Sequence, residues 1–136
     1  LEPLISLYRL QTERPFIMVV DTGSSEENLA KIQRLAAEDV EVHSIRLNGV
    51  EHPSDFPAIA MDFAFSACRT PFLFATHADC YPRRRDLIEW FLGMCPEKSP
   101  VVGYEISPRA HNDWRGMVSH TANMYHMVTM DKIGFG

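Results

Sequence analysis

A chain of 136 residues with 46% apolar content makes about one domain and can bury roughly two-thirds of its unfolded surface without disulfide staples, which excludes a multidomain machine. Its 13 Lys and Arg against 18 Asp and Glu, a net charge of -5, argue against broad capture of nucleic acid or of an anionic membrane and leave room only for a local basic patch. Cys68, Cys80 and Cys95 have no metal-pair spacing, and an odd number without a secretory leader predicts reduced thiols in a cytoplasmic setting; no apolar run reaches the roughly 20 residues of a transmembrane segment.

Leu1, Leu4, Ile5 and Tyr8 recur at helical spacing and predict an amphipathic helix over residues 1–10, which Pro15 breaks. Phe16, Ile17, Met18, Val19 and Val20 form a continuous apolar run, the pattern of a strand buried on both faces, and the run ends at Asp21. After the turn Thr22, Gly23, Ser24, Ser25 comes a helix with Leu29, Ile32, Leu35 and Ala36 on one face, where Ser24 and Glu27 have the spacing of a capping box. Residues 40–45 alternate as a strand does, and Asn48, Gly49, Pro53 and Ser54 mark a loop. The next helix spans 57–68, with Ala60, Ala64 and Ala67 giving a narrow side and Ile59 and Phe63 bulk, and Pro71 closes it. A second buried strand at 72–75 precedes a helix at 86–94, capped by Asp86 with Leu87, Ile88, Trp90, Phe91 and Met94 inward, and then a strand at 101–106. Residues 107–121 lack a period and read as a long loop, with 123–128 as one more strand. This alternation predicts one α/β domain over 1–136 with a mainly parallel sheet and helices on both faces.

In open α/β sheets ligands bind beyond the carboxyl ends of the strands, so polar residues that follow buried runs carry the chemistry. Asp21, Thr22, Gly23 and Ser24 offer a carboxylate acceptor, a flexible turn and the positive end of a helix, a set able to hold a nucleobase or ribose edge. Turn and cap chemistry alone accounts for the same residues. The lysine-bearing phosphate loop and the three-glycine dinucleotide fingerprint are absent. His77 and Asp79, one residue apart at the mouth of a strand, point the same way in extended geometry and can meet one cation, Mn²⁺ suiting the imidazole better than Mg²⁺. Ordinary hydrogen bonding is the competing reading.

Arg83, Arg84 and Arg85 either receive a diphosphate or open a helix in solvent, and adjacent helical residues cannot all face one ligand. His43, His52, His111, His120 and His126 lack close ligand spacing and read as surface or packing residues, while Trp114 is a candidate stacking surface. Neither a serine elbow nor a cysteine–histidine pair supports covalent catalysis.

Four segments, in order, resemble the family 2 glycosyltransferases of the GT-A (nucleotide-diphospho-sugar transferase) fold. ISLYRLQT is similar to the family's helix ending in S-L-x-x-Q-T, and FIMVVDTGSSEEN to its I-V-V-D-D-G-S-x-D. AIAMDFAFSACRTPFLFATHADC resembles A-R-N-x-G-x-x-x-A-x-G-x-Y-I-x-F-L-D-x-D, and MYHMVTMDKIGFG the stretch ending in I-G-G-F-D-E. The resemblance implies an inverting transfer of a sugar from a nucleotide-diphosphate donor to a hydroxyl of a glycan or other acceptor, with a divalent cation, Mn²⁺ or Mg²⁺, and no nucleic-acid partner. It assigns Asp21 to the base, with Thr22, Gly23, Ser24 and Asp62 in the donor-binding set, and Asp79 to the metal, with His77 at the first acidic position of that motif.

The departures are specific. His77 replaces an aspartate, so cation affinity becomes pH-dependent, since a protonated imidazole cannot ligate. Asp62 stands where the family has Asn, and Ala64 where it has Gly. The family's first strand, which precedes the opening helix and lies mid-sheet, has no counterpart before Leu1. The acidic segment that supplies the family's catalytic base would follow Gly136, so the expectation is a GT-A-like domain truncated at both ends. A missing central strand leaves two unpaired edges unless another chain covers them. A non-catalytic nucleotide- or partner-binding module on the same scaffold is the rival reading, and a flavodoxin-like phosphate binder a third.

Overall fold

A computed structural model describes residues 1–46, 52, 55–95, 100–105 and 118–134, with 104, 105 and 118–121 described by their backbone. Ten elements follow in the order α1 (Glu2–Arg9), β1 (Ile17–Asp21), α2 (Glu26–Gln33), β2 (Val40–Ser44), α3 (Asp55–Ala67), β3 (Phe72–Thr76), α4 (Leu87–Met94), β4 (Val101–Glu105), β5 (Val118–His126) and α5 (Met127–Lys132). The fold is α/β, with two separate sheets.

β1 and β2 pair in parallel, from Ile17 opposite Val40 to Asp21 opposite Ser44. β5 lies between β3 and β4 and is antiparallel to both, with Phe72 opposite His126 and Gly103 opposite Asn123. The expected mainly parallel sheet is thus found in the first pair alone. Apolar runs report burial and carry no strand direction, which is set by pairing between distant segments. The proposed loop over 107–121 lies partly outside the described residues, but 118–121 belong to β5, which ends at His126 where α5 begins. The loop markers Asn48, Gly49, Pro53 and Ser54, together with His111 and Trp114 and the His120 side chain, lie outside the description.

One core joins both sheets. Leu4 and Tyr8 of α1 meet Leu87, Ile88 and Phe91 of α4, Cys95, and Met124 of β5, and Ile17 of β1 with Phe72 and Phe74 of β3 pack against this cluster. On another side α3 spans the same two sheets, setting Phe63 on His43 of β2 and Phe65 edge-on to Tyr125 of β5. β1 and β3 each have one strand partner among the described residues, and Ile17, Met18, Val19, Val20 and all of β3 are only half-buried. Their sequences suit strands covered on both faces.

Two expected features of the helices are displaced. The N-cap of α2 is Ser25, whose Oγ accepts from the Asn28 amide at 3.4 Å, so the anticipated Ser24 box does not form. Asp86 makes no side-chain cap bond to α4. Instead buried Gln11, from the segment after α1, accepts from the Leu87 and Ile88 amides at 2.9 and 3.4 Å and donates to the Arg84 carbonyl at 3.0 Å. Trp90 and Met94, four residues apart on one stripe of α4, are exposed rather than inward. Arg84 is ion-paired with Asp86 and lies 5.5 Å from the Trp90 ring centre, so its guanidinium covers that indole and is engaged within the fold.

Candidate functional site

β1 delivers Asp21 as its last residue, after four half-buried apolar positions, and the Asp21 side chain is only 7% exposed. Oδ1 accepts from the Ser24 amide at 3.3 Å, closing the turn, and Oδ2 accepts from Nη1 of Arg46 at 2.7 Å. Arg46 follows β2, brought alongside by the parallel ladder and the Ile45 amide donating to the Asp21 carbonyl at 2.8 Å. Burial pushes the Asp21 carboxyl up, but the bonds from Ser24 and Arg46 together outweigh it and hold the group below its ordinary value, so it is ionised at neutral pH. Gly23 has no positive φ, and a Cβ there would sit 3.8 Å from the Phe56 ring, an ordinary contact. The turn therefore does not depend on glycine's backbone freedom.

At the end of β3 the geometry differs from the expected extended pair. The strand stops at Thr76, and His77 to Cys80 fold into a turn closed by the Cys80 amide on the His77 carbonyl at 3.1 Å. His77 is half-buried and Asp79 exposed. The Cys80 thiol donates to Asp79 Oδ1 at 3.7 Å, and burial, then the Asp79 charge, push that thiol up. Among the described residues no group of three His, Cys, Asp or Glu converges as a metal cage. One carboxylate and one imidazole on this turn could supply at most two ligands to an ion.

Asp21 and the His77–Asp79 turn both stand at the outgoing ends of strands whose first residues, Ile17 and Phe72, enter one core. Ser24 also borders a hollow of about 400 Å³, with Leu1, Ile32 and Leu35 as apolar lining and Glu2, Asn28 and Lys31 as polar lining. Asp62 lies on the exposed stripe of α3, where its carbonyl accepts from Ser66. Thr22 is half-buried in the turn. Arg46 is the residue that reading along the chain missed: it lies 25 positions from Asp21, and the only available signal was a cation just past a strand.

The chain matches no protein-family model, no curated protein and no solved structure. No described helix is long and apolar enough to cross a membrane.

Proposed function

We propose that this chain forms the donor-binding part of a GT-A-type glycosyltransferase, which moves a sugar from a nucleotide diphosphate to an acceptor hydroxyl with help from a divalent cation. The observation that carries the reading is Asp21, a buried and ionised carboxylate at the outgoing end of β1, held by a backbone amide and Arg46. One further feature supports it: among the described residues β1 and β3 each have one strand partner, and the two sheets they belong to share one core.

In this reading Asp21 accepts a hydrogen bond from the nucleotide, and Asp79 and His77 would hold a cation whose charge would offset that on the leaving nucleoside diphosphate; at ~4 Å and an effective dielectric of ~20 one such pair would be worth about 4 kcal/mol, or roughly a thousandfold in rate. Calorimetry with UDP and GDP, with and without Mn²⁺, tests the proposal on wild type, Asp21→Ala and Asp79→Ala. Cation-enhanced binding that falls at least tenfold in either variant is expected. Equal, negligible binding by all three folded proteins contradicts it.

One observation favours the rival reading of a non-catalytic binding module: His77 and Asp79 lie on a turn, not on one face of a strand, and only one of them is acidic. His77→Asp separates the two. A cation-using site gains Mn²⁺ affinity on that change, whereas a module without a cation shows none in either form.

A further inference from the structure

We propose that Arg46 contacts the ligand and sets its specificity: with Asp21 it forms a two-part reader for the edge of a nucleobase, an N–H donor beside a carbonyl acceptor, in preference to a ribose diol. The proposal rests on the donor-site reading above and names a residue which the family resemblance does not supply. Asp21 is almost closed from solvent, 7% exposed, whereas the Arg46 side chain is 40% exposed. Arg46 is therefore the solvent-side member, and a group arriving from the rim meets the guanidinium as it meets the carboxylate.

The chemistry of the pair selects the ligand edge. A lone carboxylate suits a diol, whose two hydroxyls donate to its two oxygens. Here both oxygens already accept a donor, from Ser24 and from Arg46, and the acceptor capacity left over lies next to guanidinium N–H groups, five of which an arginine carries. An acceptor beside a donor, both held in planar groups, complements the imide edge of uracil or the lactam edge of guanine. Charge points the same way. Paired with Asp21 at 2.7 Å, the guanidinium is neutralised, which suits a neutral ring edge better than a diphosphate.

Calorimetry on the full chain tests this with UDP and GDP, their 2′-deoxy forms, and the base-methylated forms N3-methyl-UDP and N1-methyl-GDP. Wild type should bind the 2′-deoxy form of its preferred nucleotide within about twofold of the parent and the methylated form at least tenfold more weakly, the loss expected when the ring N–H that donates to Asp21 is replaced by a methyl group. Arg46→Ala should weaken the parent nucleotide about tenfold and shrink the penalty of methylation, and Arg46→Lys should recover part of the loss. Loss of the 2′-deoxy form with the methylated form retained overturns the base-edge reader even if the variants fail to fold. An Arg46→Ala protein that binds like wild type, while Asp21→Ala does not, overturns the role of Arg46 and leaves the donor site standing. Absence of any nucleotide binding by wild type overturns both.

Discussion

Asp21 and Asp39 are both paired carboxylates, yet their surroundings give them different tasks. Asp39 accepts from Nε and Nη2 of Arg9 at 2.9 and 2.6 Å and from Arg14 at 3.2 Å, and its own carbonyl accepts from the Ile17 amide, so it ties α1 to the start of β1. The hydrogen bond from Arg9, against the opposing effect of burial, holds its carboxyl at about 2. A group whose pKa is lower in the folded state stabilises fully above its unfolded value, about 3.9, and loses that contribution as pH falls toward the folded value. Asp39→Asn should therefore lower the urea midpoint at pH 7, with the gap to wild type closing between about pH 4 and pH 2. A gap unchanged across that range contradicts the pairing. Asp21 was legible in the chain because a carboxylate ending an apolar run stands at a strand mouth. Its partner was not, since which cation meets it depends on the β1–β2 register.

Helix faces were readable where burial is periodic. Leu4, Ile5 and Tyr8 of α1 and Leu87, Ile88 and Phe91 of α4 are buried, as their spacing requires. Trp90 and Met94 were misassigned because both are large and apolar, and only the packed helix shows that their stripe turns outward. The cap of α4 could not be read locally at all: the acceptor is Gln11, 76 residues before Leu87. Gln11→Ala should cost about 1–2 kcal/mol in denaturant unfolding, since it strands two helix-end amides in a buried place. Asp86→Ala, which removes an exposed ion pair and no cap, should stay within about 0.5 kcal/mol. Equal losses in the two variants would return the capping role to Asp86. Phe91→Ala, at a position with 0% exposure in the shared core, should cost about 3–5 kcal/mol by the same assay.

Across the whole molecule the alternation of helices and strands identified an α/β fold, while the antiparallel trio β3–β5–β4 was hidden because directions are decided by long-range pairing. The two-sheet arrangement has a dynamic consequence. Described residues of β5 have strand neighbours on both sides and are mostly buried, whereas β1 and β3 each have one partner and are half-buried. Hydrogen exchange should accordingly be slowest at residues 122–126 and faster along β1 and β3, as expected where fewer buried contacts resist local opening. Uniform protection over all five strands would mean that the open edges are covered.

The proposed donor site needs Asp21 and the His77–Asp79 turn to serve one ligand, and paramagnetic broadening by Mn²⁺ in amide NMR spectra examines that need directly. With UDP or GDP present, Mn²⁺ should broaden Ser24 together with Cys80 in wild type and neither in Asp79→Ala. Broadening that reaches only one of these two segments, or that persists unchanged in Asp79→Ala, would contradict a shared nucleotide-diphosphate site.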